Sequence, residues 1–258
     1  MCVASGKGGT GKSIVATNLS LLRARGGERV CLIDFDAGLA NAHLLLGMSP
    51  RYDLGHVLDG QVQARDALVK SPWGFHLLSG GVGRDALANP TRRELDRLFR
   101  ALQALEEQFD LLIVDHGAGL SYGTIAHLAA TSTLLLVGGH EVTALSDAYA
   151  LYKRATLVNP EIEVGMVVNR APDHDSALAA WGRFESASRR FLGHAPELVG
   201  WVPQDLSVVR SVEARRPVTE CLPESAAAQA IHSVSRWGRF DVPPVGPAFY
   251  ERARRALR

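Results

Sequence analysis

Gly6, Gly11, Lys12 and Ser13 stand at the spacing G-x-x-x-x-G-K-[ST] within "SGKGGTGKS", a pattern whose chemistry is the capture of a polyphosphate. Gly6, Gly8, Gly9 and Gly11, with Thr10 among them, let the backbone wrap closely and turn successive N–H groups inward. The positive end of the helix that follows lies behind them. Lys12 then neutralises the outer phosphates. The Ser13 hydroxyl suits a Mg²⁺ shell made mostly of phosphate and water oxygens. Three carboxylates complete the set. Asp34 and Asp36 lie two residues apart at the end of an apolar run, so their side chains point the same way, and Asp115 ends another such run. Carboxylates beside a triphosphate need a divalent cation or water between them. Asp36 is therefore the candidate for positioning an attacking water, Asp34 for holding metal-bound water, and Asp115 for orienting the metal or its water.

These groups need a scaffold that brings several strand ends to one edge. Cys2 to Ala4, Val30 to Ile33, Leu111 to Val114, Leu134 to Val137 and Val164 to Val168 are continuous apolar runs, as strands buried on both faces of a parallel sheet require. Helical patterns alternate with them. Val15, Leu19 and Leu22 share one face, Leu95, Leu98, Phe99, Leu102 and Leu105 another running on to Phe109, and a further helix begins near Thr143. Pro90-Thr91 opens the second of these. Tyr52 to Leu68 reads as helical with a break at Gly60, and Phe75 to Gly81 as a strand entering a glycine turn. The expected architecture is one doubly wound, mainly parallel α/β domain over residues 1–240 with helices on both faces. A linker and a basic amphipathic helix follow over 241–258.

Composition narrows the function classes. Lysine and arginine number 28 against 27 acids, so no broad basic field argues for nucleic acid. Cys2, Cys31 and Cys221 are few and scattered, as expected of free thiols in a reducing cytosol. Leu128 to Val137 is too short to span a bilayer, and no leader-like segment precedes the first strand. A cytoplasmic protein is expected. His127, His174 and His232 lack metal-ligand spacing and read as surface or packing residues.

Lysine is scarce here, yet two of the four residues, Lys7 and Lys12, fall in the one loop, the others being Lys70 and Lys153. The form "KGGTGKS" resembles the deviant Walker A loop of the MinD/ParA ATPases, and "DFDAGLAN", with "EVTALSDAYAL", is similar to the flagellar-number branch called FlhG or FleN. That resemblance implies that Lys7 reaches the phosphates of a second chain, so that ATP with Mg²⁺ holds a homodimer together. It implies a Walker B role for Asp115, a mobile loop at Gly117 and Gly119, and Glu141 and Asp147 near the dimer face. It also implies that Asn169 reads adenine and that Pro203 and Asp205 line the base pocket. His116 departs from the Thr or Ser that the family usually shows, and it either fills space or alters the water network.

The activity implied is slow ATP hydrolysis in a switch that governs flagellar number or placement. Its implied partners are a flagellar GTPase, flagellar switch proteins or a transcription factor. The alternatives are a division-site ATPase and a weakly hydrolysing, nucleotide-gated antagonist of a transcription factor. Phe249 to Arg258 places Phe249, Tyr250, Ala253, Ala256 and Leu257 in one sector and its arginines in the rest. Such a helix docks on the body or lies on an anionic membrane, at the inner face of the cell membrane or a pole. Both stay open on sequence, with Val242 to Gly246 as a stiff spacer.

Overall fold

The computed structural model describes residues 1–36, 40–81, 90–238 and 248–257. Ala37 to Leu39 of the "DFDAGLAN" segment, the Val242 to Gly246 spacer and Arg258 lie outside the described residues. Eight strands form one sheet: β1 (Cys2–Ala4), β2 (Val30–Phe35), β3 (Val69–Lys70), β4 (His76–Leu78), β5 (Leu111–His116), β6 (Thr133–Gly138), β7 (Glu163–Ala171) and β8 (Glu197–Pro203). Their spatial order is β3-β4-β2-β5-β1-β6-β7-β8. Every pairing is parallel except the β3–β4 edge.

The helices are α1 (Lys12–Arg25), α2 (Ala42–Leu45), α3 (Leu54–Leu58), α4 (Arg92–Gln103), α5 (Tyr122–Ala130), α6 (Val142–Val158), α7 (His174–Leu192), α8 (Leu206–Glu213), α9 (Val218–Cys221), α10 (Ala226–Val234) and α11 (Phe249–Arg255). Among the described residues none is long and apolar enough to cross a membrane. Strand alternation sorts the core into two layers. Val30, Leu32, Ile113, Leu135 and Val137 meet α1 and α10, whereas Cys31, Ile33, Val114, Leu134 and Leu136 meet α4 to α7 and α11. One sheet face thus carries the phosphate-loop helix, and the other carries the tail.

Local chemistry sets the element ends. Thr91 and Glu94 form a reciprocal cap at the start of α4. The apolar face buries Leu95, Leu98, Phe99 and Leu102 as the pattern predicts, but the helix stops at Gln103 and Leu105 is buried beyond it. The 52–68 segment is less regular than expected. Gly60 takes a left-handed conformation (φ 72°) and separates the five-residue α3 from a 3₁₀ turn, Ala64–Ala67.

Of the two alternatives open for the tail, this structure has it docked. α11 packs against α4 and α5, with Tyr250 and Ala253 fully buried and Leu257 nearly so, while Ala256 is exposed. The Glu106 carboxylate caps the helix by accepting the Phe249 and Tyr250 N–H groups at 2.8 and 2.7 Å. Arg252 donates to the Ala130 carbonyl at 2.8 Å.

Candidate functional site

The loop after β1 is held from two sides. Gly6 lies against the backbone of α6, where an added Cβ would sit 2.1 Å from the Asp147 carbonyl carbon, so only glycine fits. Gly9 and Gly11 are left-handed, at φ 75° and 86°. From β7, the Asn169 amide donates to the Thr10 carbonyl at 2.6 Å, and the Arg170 guanidinium to the Gly9 carbonyl at 2.9 Å. Arg170 itself has a positive φ of 59°, a strained conformation of the kind that clusters at functional sites. The clamp fixes the loop's carbonyls outward, which leaves its N–H groups for a ligand.

Lys12 and Ser13 open α1 and are each 7% exposed. Lys12 Nζ lies 3.4 Å from the Asp36 carboxylate. A phosphate arriving at this loop would compete with that carboxylate for the ammonium. Lys7 is exposed and donates to the Thr143 hydroxyl at 3.4 Å, in the first turn of α6. Val142, beside Thr143, is 68% exposed, and Tyr122 (61%) and Leu120 (42%) are exposed at the start of α5. Glu141 and Asp147 are exposed on the same helix start.

Asp34 and Asp115 are register partners on adjacent strands, both fully buried on the α1 side of the sheet. Asp34 accepts the Asp36 N–H at 3.2 Å and the Ala42 N–H at 3.0 Å. Asp115 has neither carboxylate oxygen hydrogen-bonded among the described residues. Burial pushes both acids up from the ordinary carboxylate range; the charge of Asp34 adds to it at Asp115 and that of Asp36 at Asp34, while Lys12 opposes it at both. An orphaned, buried carboxylate beside a second acid and a serine hydroxyl fits a hard divalent cation and its waters. Among the described residues no three His, Cys, Asp or Glu side chains form a ready-made metal cage, so phosphate and water would supply most of the shell. Gly117 follows closely. A Cβ there would meet the Asp36 carboxylate at 3.0 Å.

His116 is not part of this constellation. It follows Asp115 on β5, so its ring points through the sheet to the opposite layer, where it meets Cys2 Sγ at 3.4 Å and the rings of Phe35 and His127. Burial lowers its pKa to about 3, and it is a neutral packing group. Of the two sequence alternatives, it fills space.

Asn169, Pro203 and Asp205 line one cavity of about 400 Å³ together with Gly11, Val208 and Ile231 among others. Their hydrogen bonds, however, serve the fold. The Asn169 amide is engaged with the loop, and the Asp205 carboxylate caps α8 through Ser207 N–H at 2.7 Å and ties in Ala227 N–H at 3.1 Å. Sequence reasoning missed Arg170 and Thr143. A strand-end Asn-Arg pair and an N-terminal helical threonine carry no signal that names a loop 130 residues or more away.

Comparison with known proteins gives the same assignment. The model of the CobQ/CobB/MinD/ParA nucleotide binding domain matches residues 1–218. The chain is 32% identical to the antiactivator FleN of Pseudomonas aeruginosa over 92% of its own length and 84% of that protein's. It is 24% identical to the flagellum site-determining protein YlxH of Helicobacter pylori, over 98% and 88%. Among solved structures, the cell division ATPase MinD of Pyrococcus furiosus superposes with a TM-score of 0.76 at 26% identity, covering 91% of this chain and 96% of that one. Loop, strand-end acids, sheet order and sequence relationship agree: the chain belongs to the CobQ/CobB/MinD/ParA nucleotide-binding family and is a P-loop ATPase of the MinD/ParA type.

Proposed function

We propose that this chain is an ATP-operated switch of the flagellar-number branch. It pairs with a second copy of itself when ATP and Mg²⁺ are bound, and it parts from that copy after slow hydrolysis. The observation that carries the reading is the position of Lys7. It is exposed and held by Thr143 at the start of α6, next in sequence to the exposed apolar Val142. A phosphate-loop lysine aimed outward suits a ligand shared across two chains better than one held within its own.

Within one subunit the loop N–H groups and Lys12 hold the phosphates, and the base takes the cavity between Gly11 and Pro203. Ser13, with Asp34 and Asp115 through water, would hold Mg²⁺. When bound, the ion supplies charge neutralisation for the transferring phosphoryl group. Asp36, released from Lys12 by the incoming phosphate, orients the attacking water. Lys7 of each subunit adds a positive charge to the other's phosphates. Phosphoryl transfer asks for this kind of positioning and charge, with little covalent chemistry from the protein.

Two relatives, one an antiactivator and one a flagellum site-determining protein, favour control of flagellar number or placement as the output. Its partner would be a transcription factor, a flagellar GTPase or a flagellar switch protein. Membrane attachment through the tail requires α11 to leave its seat. The test is Asp36→Ala. The variant is expected to bind ATP and to accumulate as a dimer in light scattering, with hydrolysis lost. Normal hydrolysis by the purified variant overturns the assignment of Asp36.

A further inference from the structure

The first turns of α4 and the seated tail helix enclose a groove of about 760 Å³ that plays no part in nucleotide handling. Five arginines line it, Arg92, Arg93, Arg97, Arg100 and Arg254, against two acids. Both acids are already committed. Glu94 accepts the Thr91 N–H and hydroxyl at 2.7 Å each in the helix cap. Asp96 bridges Arg100 at 2.9 Å and Arg254 at 2.8 Å. Arg92 lies 5.4 Å over the Tyr122 ring. Arg93 and Arg97 are exposed, and neither makes a hydrogen bond or close ion pair among the described residues; Arg97 feels only the charge of the capping Glu94. They stand four residues apart on one helix face, where like charges repel.

We propose that this groove docks an acidic segment of a partner protein, and does so while the tail helix is seated. Guanidinium forks match carboxylates in pairs, and the concave shape admits a peptide chain but not a flat bilayer. The seated tail supports the choice. Tyr250, Ala253 and Leu257 are turned into the core, so α11 meets the outside chiefly through charged side chains, Glu251 paired with Arg255, and Arg254. Arg254 and Leu257 form one wall of the groove, and the wall exists only in the docked state. Acidic-segment binding and insertion of the tail into lipid therefore draw on opposite positions of one helix, and by linkage each opposes the other. The proposal is independent of the nucleotide reading.

The test uses the full chain and a fluorescein-labelled peptide of alternating Asp and Glu, followed by anisotropy. Binding is expected to weaken as salt rises, and Arg93→Glu with Arg97→Glu is expected to weaken it roughly tenfold or more, with the melting temperature and ATP hydrolysis unchanged. Hydrogen exchange of the 249–255 amides is expected to slow when the peptide saturates. The proposal is overturned by absence of peptide binding, by equal affinity of the double variant, or by unchanged exchange in the tail. It is equally overturned if a DNA duplex or phosphatidylserine vesicles depend on Arg93 and Arg97 where the peptide does not.

Discussion

Replacing His127 with leucine separates a packing histidine from a surface one and puts a number on the acid sensitivity of the tail's seat. The ring is fully buried on α5, with centroids 4.6 Å from Phe99, 4.7 Å from Phe35, 5.4 Å from Phe249 and 5.6 Å from Tyr250. Neither ring nitrogen has a hydrogen-bond partner among the described residues. Burial, then the neighbouring His116 and the buried Met1 amine, hold its pKa well below the ordinary 6.5. The Tyr250 hydroxyl of the tail is also buried and has no hydrogen-bond partner among the described residues. The folded state therefore keeps the imidazole neutral, while the unfolded chain protonates it. Stability from this group is fully present above the unfolded pKa and is lost as pH falls below it. Between pH 8 and pH 5 the linkage amounts to about 2 kcal/mol. For a domain of this size that corresponds to a melting shift of about 4–8 °C. His127→Leu is expected to remove that share of the acid loss, so thermal unfolding at the two pH values should show the variant gaining on its parent in acid. An equal gap at pH 8 and pH 5 refutes a buried, neutral His127. A larger gap at pH 8 reverses the sign of the linkage and refutes it as well.

The nucleotide site yields further tests. Asp115→Asn removes a carboxyl whose ionisation burial opposes in the folded chain but water allows in the unfolded one, and it is expected to stabilise the nucleotide-free chain by about 1–3 kcal/mol in thermal unfolding at neutral pH while abolishing Mg²⁺-dependent hydrolysis. A variant less stable than its parent contradicts the electrostatic account. Lys7→Ala is expected to keep ATP binding in calorimetry and lose the ATP-dependent dimer in light scattering, and a persisting dimer removes Lys7 from the interface. Gly6→Ala forces a Cβ onto the α6 backbone, so nucleotide affinity should collapse even where circular dichroism shows an intact fold. Unchanged affinity shows that the loop does not need α6 at its back.

The phosphate loop and the strand-end acids were legible because their information is local. Spacing identifies the loop, and an apolar run ending in aspartate identifies the sheet edge where ligands bind. What stayed hidden is carried by contacts between distant segments. The tail's wheel of Phe249, Tyr250, Ala253 and Leu257 announced an apolar face, but its receptor lies on α4 and α5 and is capped by Glu106, more than 140 residues upstream. His116 stood out as a substitution in a motif, yet strand alternation aims it at the other layer, which is readable only once the strand's extent is known. Asn169 was assigned to the base by resemblance. What the sequence did not show is that its amide also donates to the Thr10 carbonyl of the loop, a contact made across 159 positions.

Gly6 rests on the peptide groups of α6 and not on its side chains, so no layer of rotatable groups cushions the join. A shift of the loop by even a few tenths of an ångström must be taken up by the helix as a rigid rod. The join is also blind to what α6 displays to the outside. Mutational drift can repaint Val142, Ser146 or Ala150 for a new associate without retuning the machinery beneath.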